Sequence, residues 1–370
     1  MKQDAKRLTK VIIYGLFVFF LGILLVYSVI YKFPSVFKET ITKVEREVTV
    51  TDVGIADAIE KVYNSVVIVS NYKGDSVYTS GSGFIYKIDG EDTYLITNYH
   101  VIATGDSYKI TYSDGSILDA TLVGQDQYAD IAVLKVQTKA DIKAVETGKS
   151  DNLRVGDTAF TVGAPLDNTY SWTVTRGIVS GKDRLVEVRL SSATSTDYIM
   201  NVLQTDAAVN NGNSGGPLCN SNGEVIGVVN AKISSTGVEG MGFAIPIEVA
   251  LEKAEQMISG TSSEYPYLGI SMLNVENALS YPQYSSYLAE SELTKGVIVI
   301  DVESNSVADK AKLQKGDIIT EINNKDISNI AYLRYELYKY SVGDKIKISY
   351  YRDGKEKSVE EKLTSNLKVS

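Results

Sequence analysis

Twenty-one consecutive residues, Val11 to Tyr31, carry no charge, and no other feature restricts the fold of its segment so narrowly. Backbone in hydrocarbon has no water to bond, so a single span crossing it must be helical. At about 1.5 Å per residue the run would be a helix of roughly 32 Å, close to the hydrocarbon thickness of a bilayer. A cleaved secretory signal instead has an apolar core of about 7–15 residues followed by a small-residue cleavage site. Here Tyr31-Lys32-Phe33-Pro34-Ser35-Val36-Phe37 follows, with no A-x-A pattern, so an uncleaved anchor is expected. Lys2, Lys6, Arg7 and Lys10 precede the span. The positive-inside tendency then puts residues 1–10 in the cytoplasm and everything after Phe33 outside the cell membrane.

The remaining chain has globular composition. Of 370 residues 44% are apolar and 22% charged, which excludes a disordered protein, and the length suits two domains plus an extra segment. A net charge of −9 provides no basic field, so nucleic acid is not an expected partner. With one cysteine, Cys219, and one histidine, His100, neither a disulfide nor a Cys- or His-based metal site can be built, and no cofactor is expected. Residues 32–53 mix both charge signs and read as a linker. Residues 54–259 hold brief apolar runs (Val66–Val69, Gly83–Tyr86, Tyr94–Ile96, Ile131–Leu134, Val225–Val229) separated by Gly, Asn, Asp and Ser. Such spacing predicts an all-β barrel or sandwich, with helices at about 56–60 and 247–258. Gly260-Thr261-Ser262-Ser263 marks a boundary. A smaller β-rich unit at 264–366 carries one amphipathic helix, with Ile330, Leu333 and Leu337 at i, i+3 and i+7.

Three motifs carry chemistry. In Leu95-Ile96-Thr97-Asn98-Tyr99-His100 the only imidazole ends an apolar strand, where it could move a proton near neutral pH. In Tyr128-Ala129-Asp130-Ile131-Ala132-Val133-Leu134 an acid precedes a run that should be buried, and an unpaired carboxylate there costs several kcal/mol. In Thr205 to Leu218 a serine sits among glycines, Gly212-Asn213-Ser214-Gly215-Gly216, a turn that lets the N–H groups of Gly212 and Ser214 converge on one oxygen. Alone, the first two have bland readings as a structural histidine and a strand-start aspartate. Together they run in the order His, Asp, Ser, the triad order of chymotrypsin-type β-barrel proteases.

Through Thr97-Asn98-Tyr99-His100-Val101, Ala129-Asp130-Ile131-Ala132-Val133-Leu134, Gly212-Asn213-Ser214-Gly215-Gly216-Pro217-Leu218 and Gly242-Phe243-Ala244-Ile245-Pro246 the sequence resembles the HtrA (Deg) family of trypsin-like serine proteases. Ala164 and Asn211 depart from that family's usual Asn and Pro. The resemblance implies a mainly β fold, with a double six-stranded β-barrel protease domain followed by a PDZ domain. It also implies a catalytic His100, Asp130 and Ser214, with an oxyanion hole drawn from the N–H groups of Gly212, Asn213 and Ser214. In a trypsin-like layout the residue six before the serine, Ala208, floors the S1 pocket with Val209 beside it, implying cleavage after small or medium aliphatic residues.

The C-terminal unit resembles a PDZ domain through Tyr267-Leu268-Gly269-Ile270, Gly296–Val299, Leu313–Ile319, the helix near 328–339 and Gly343–Ile346. That implies carboxylate capture by the Leu268-Gly269-Ile270 loop, strand addition beside Ile270–Leu273 and an apolar groove that includes Leu333. Eleven tyrosines in residues 261–370 read as amphipathic surface first and as an interface second. The expected protein is a membrane-anchored endopeptidase. It would act on unfolded or misfolded extracytoplasmic proteins in quality control and stress response, bind peptides with hydrophobic C-termini, and form the family's homotrimer. The rival is a chaperone or scaffold that holds chains without cutting, against which the complete set of three residues argues. A Ser/Lys peptidase is disfavoured because no Ser/Lys motif occurs.

Overall fold

The architecture follows from strands that are apolar on both sides. In this computed structural model residues 2–32, 53–163, 172–188, 198–233, 240–261, 264–278, 280–281, 284, 286–288 and 293–365 are described. The linker expected at 32–53 lies almost wholly outside them. The chain divides into two compact units, Met1–Asp52 and Val53–Ser370.

The first unit is the helix α1, Lys2–Lys32. Its window Thr9–Val29 has a mean hydropathy of 2.5, long and apolar enough to cross a membrane. Leu16, Phe19 and Leu24 are exposed along it.

The second unit opens with helix α2, Val53–Tyr63, and six strands: β1 Val66–Lys73, β2 Ser76–Asp89, β3 Asp92–Thr97, β4 Ser107–Thr111, β5 Ile117–Asp126 and β6 Ile131–Gln137. They close a barrel in the order β1-β2-β3-β6-β5-β4. Six more, β7 Thr158–Gly163, β8 Thr173–Val188, β9 Tyr198–Thr205, β10 Pro217–Asn220, β11 Val225–Val229 and β12 Gly242–Pro246, close a second as β10-β11-β12-β9-β8-β7. Helix α3, Ile247–Ile258, follows, burying Ile247, Ala250 and Ala254.

Strand side chains alternate between faces, so a continuous apolar run means that both faces are covered. In β2 and β3 the paired Ile85 and Leu95 belong to the first barrel's interior, while the next pair, Phe84 and Ile96, joins a core shared with Phe160, Val228 and Ile245 of the second. β6 divides likewise, Ala132 and Leu134 inward and Ile131 and Val133 to the shared core. The two barrels are therefore welded along an apolar seam that ends at the site described below.

Beyond α3 the chain forms β13 Pro266–Tyr267, β14 Ile270–Asn274, β15 Val297–Val302, β16 Ile318–Ile322, β17 Lys325–Asp326, helix α4 Ile330–Leu337, β18 Lys345–Arg352, β19 Lys355–Lys362 and β20 Thr364–Ser365. The main sheet runs β14-β15-β16-β18-β19, which puts β14 at an edge beside α4. Leu333 and Leu337 of α4 are buried in that domain's core. The expected fold, two barrels, a PDZ domain and one N-terminal candidate transmembrane helix, is thus the observed one.

Phe84 has no exposed surface, so Phe84→Ala should leave a cavity in the seam and cost about 3–5 kcal/mol. The single tryptophan, Trp172, packs on the same core and donates its indole N–H to the Val66 carbonyl at 3.1 Å, so its emission reports the loss as a lower urea midpoint. Ile117→Ala, at a residue 59% exposed, should change stability by no more than about 0.5 kcal/mol.

Candidate active site

At the seam one buried carboxylate organises two loops. Asp130 is 3% exposed, and its φ of +52° lies in the left-handed region, which Asp tolerates better than most residues. That turn aims the carboxylate back at the one-turn helix Tyr99–Ile102 after β3. Oδ1 accepts the His100 backbone N–H at 2.9 Å. Oδ2 lies 2.7 Å from His100 Nδ1 and also accepts Asn230 Nδ2–H at 2.7 Å. The Asp130 carbonyl accepts from Asn98 Nδ2 at 2.9 Å and from the Tyr99 N–H at 3.2 Å. The burial that the sequence made a problem is therefore answered by donors on every side. A carboxylate on Nδ1 fixes the tautomer with Nδ1 protonated, and leaves Nε2 of the neutral ring as a free base.

Ser214 comes from the other barrel. Its loop is strapped to β2, with the Ser82 N–H donating to the Ser214 carbonyl at 2.8 Å and Ser82 Oγ donating to the Gly212 carbonyl at 2.7 Å. Gly215, at φ +84°, makes the closest approach. A Cβ there would fall 2.2 Å from the Ser82 carbonyl oxygen and 2.3 Å from Thr97 Oγ1, so only glycine brings Ser214 against the end of β3 where His100 starts. Ser214 Oγ accepts the Ala231 N–H at 3.1 Å. Among the described residues it makes no hydrogen bond with His100, as is common before substrate tightens such a site.

The Asn213 N–H donates to the Asn210 carbonyl at 3.0 Å, closing a turn. The N–H groups of Gly212, at φ +101°, and Ser214 donate to no protein acceptor among the described residues. The Asn213 side chain is buried and donates to the Ala208 carbonyl at 3.3 Å. Ala208 is exposed, with its carbonyl also held by Thr175 Oγ1 at 2.8 Å, and Val209 is half-buried in the second barrel's core beside Gly242. Ala164 lies outside the described residues.

In the C-terminal domain Leu268, Gly269, Ile270 and Leu333 all line one cavity of ≈ 420 Å³. Gly269, at φ +74°, packs so closely on Ser306 that a Cβ would sit 2.2 Å from that residue's own Cβ. Asn230 escaped the sequence reading because it lies 100 residues from Asp130 and joins it only when the barrels meet. Its one signal was an amide directly after the apolar strand β11.

Two protein-family models match the chain, a trypsin-like peptidase domain over residues 81–228 and a PDZ domain over residues 266–363. The serine protease Do-like HtrA of Bacillus subtilis (strain 168) is 39% identical over 327 residues, covering 84% of this chain and 72% of that protein. The protein of the same name from Lactococcus lactis subsp. lactis (strain IL1403) is 37% identical over 349 residues, covering 85% of each. Among solved structures, the serine endoprotease from Yersinia pestis superposes with a TM-score of 0.62 at 28% identity, over 84% of this chain and 97% of that one. The HtrA-type protease AlgW with decapeptide gives 0.64 at 28%, over 85% and 99%. Likeness that runs through both barrels and the domain behind them, in sequence as well as in fold, makes this chain a serine endopeptidase of the HtrA family.

Proposed function

We propose that His100, Asp130 and Ser214 are its catalytic triad. The observation that carries the assignment is the 2.7 Å contact of His100 Nδ1 with a buried Asp130 carboxylate, at the seam where Gly215 holds the Ser214 loop against β3. His100 Nε2 takes the Ser214 proton as Oγ attacks a peptide carbonyl to give a tetrahedral intermediate. The same nitrogen then protonates the amine as the C–N bond breaks and leaves the acyl-enzyme, and a water activated by His100 attacks the ester to free the acid and Ser214 Oγ. Asp130 stabilises the imidazolium, with Asn230 holding the carboxylate in place. The N–H groups of Gly212 and Ser214 receive the oxyanion, a contribution of about 10²–10³ in rate per donor elsewhere.

Domain boundaries of 1–10, 11–31, 32–53, 54–259 and 264–366 describe a cytoplasmic stub, a span, a linker, the protease and the PDZ domain. In this reading α1 anchors the chain in the cell membrane and both folded domains work outside the cytoplasm, on exposed segments of misfolded proteins. The uncharged Ala208 and Val209 suit aliphatic residues at the cleaved bond. Edge strand β14 and its apolar cavity suit a peptide C-terminus that adds as a strand with its last side chain buried. The protease domains would associate as a homotrimer.

Unfolded casein incubated with the full chain should be cut, and sequencing of the products should place Val, Ala or Ile before the broken bonds. Ser214→Ala and His100→Ala should each remove nearly all of the rate, to a similar degree because the three residues act as a unit. Asp130→Asn should cost on the order of 10⁴, the imidazole being held in the wrong tautomer. More than a few per cent of activity in His100→Ala would refute the triad.

For topology, protease added to spheroplasts should digest the bulk of the chain and leave a small anchored stub. Protection of the whole chain, or a mature N-terminus beyond residue 31, would rule out the anchor. A saturating peptide with a hydrophobic, carboxylate-bearing end should also change the rate on a short chromogenic substrate. An unchanged rate would make the PDZ domain a tether only.

A further inference from the structure

The cavity of the PDZ domain is not lined by that domain alone. Besides Leu268, Ile270, Met272, Leu333 and Leu337 it is lined by Tyr128, which belongs to the first barrel and stands two residues before Asp130. Tyr128 is fixed there by rings and by a buried carboxylate. Its ring lies 5.1 Å from those of Tyr265 and Tyr338, which also line the cavity and are 4.4 Å from each other, and 5.8 Å edge-on from Tyr198 of β9, the strand on which α4 packs. Asp126 holds the assembly from below. Its Oδ1 accepts the N–H groups of Tyr128 and Ala129 at 3.0 Å each, while Oδ2 accepts the Tyr265 hydroxyl at 2.6 Å and lies 3.3 Å from Lys253 Nζ. Lys253 also sits 4.8 Å over the Tyr265 ring. Burial, and secondarily the Asp126 carboxylate, push the Tyr265 phenol far above its usual range, so it stays a donor to Asp126.

We propose that Tyr128 is a wall of the peptide groove, so that the C-terminal side chain of a bound peptide is read jointly by the PDZ domain and the protease domain. This rests on the reading of the groove as a site for carboxylate-ended peptides. The ligand class is a peptide ending in a bulky ring, phenylalanine being the simplest, with a free carboxylate. The chemistry is that of the wall: three tilted or edge-on tyrosine rings beside aliphatic Leu268, Leu333 and Leu337 accept another ring edge-to-face, which adds to the apolar area buried. Because Asp126 fixes the Tyr128 backbone and the Tyr265 hydroxyl, and the neighbouring rings pack on Tyr128 before any ligand arrives, little ordering cost is left for binding. A PDZ domain cut out at 264–366 would lack this wall.

The test uses the full chain in detergent micelles with Ser214→Ala, so that no probe is cleaved, and three fluorescein-labelled peptides followed by polarisation. One ends in Phe with a free carboxylate, one in Ala with a free carboxylate, and one in Phe amide. The Phe acid should bind at least tenfold more tightly than either of the others. Adding Tyr128→Ala should weaken the Phe acid about tenfold, roughly 1.4 kcal/mol, and the Ala acid by less than twofold, whereas Tyr128→Phe should retain parent affinity. If the amide binds as well as the acid, the groove reading itself fails. If acid is preferred over amide but Tyr128→Ala binds the Phe acid like the parent, or loses both acids equally, the groove stands and the shared wall is overturned. Should Tyr128→Ala melt well below the parent, Tyr128→Leu is judged by the same criteria.

Discussion

A carboxylate sealed from water has to find its compensation within the protein, and Asp130 finds it from two separate stretches of chain. The His100 backbone and ring, from the first barrel, and the Asn230 amide, from the second, converge on its carboxylate, while the Asn98 amide holds its backbone carbonyl. Removing a donor to the carboxylate leaves a buried charge less well compensated, so the geometry of His100 and the docking of the barrels are coupled by the same electrostatics. The left-handed turn at Asp130 is a local strain of about 1 kcal/mol that those donors offset. Everything else at the site, the tautomer of His100 included, follows from where that carboxylate points.

The strands on either side are built to hold this arrangement still. Double-sided burial of β2, β3 and β6 lets one set of side chains fill a barrel and the other set weld the barrels together. A close-packed seam of that kind shifts as a unit or not at all. The serine loop is then added at a distance only glycine permits, with Gly215 against Ser82 and Thr97. His100 and Asp130 from one barrel and Ser214 from the other are thereby held in one rigid frame, the preorganisation that the proposed triad requires.

Asp126 repeats the same device one turn earlier in the chain. A carboxylate with a side chain almost wholly buried gathers two backbone N–H groups, a tyrosine hydroxyl and a lysine, this time joining the protease domain to the segment that leads into the PDZ domain. Two buried acids four residues apart thus serve two junctions, Asp130 between the barrels and Asp126 between the domains. The tyrosines that composition assigned to ordinary surface include Tyr265 and Tyr338, which form part of this second junction.

The sequence by itself determined the apolar helix, the order of the domains and the His, Asp and Ser positions, because each is written in local pattern: an uncharged run, turn residues between apolar strands, glycines around a serine. It also determined that Asp130 needed partners, since an acid before a buried run cannot be left unpaired. Tertiary structure alone decided who those partners are. Asn230 lies 100 residues away and Tyr265 lies 139 residues from Asp126, separations over which no periodicity carries information. The loop before Ser214 was decided at the same level: three consecutive N–H groups look equivalent in sequence, but that of Asn213 closes a turn onto Asn210, while those of Gly212 and Ser214 donate to no protein acceptor among the described residues. Patterns of side-chain type fix which elements form, whereas hydrogen-bond partners are fixed only when packing brings distant backbone within about 3 Å.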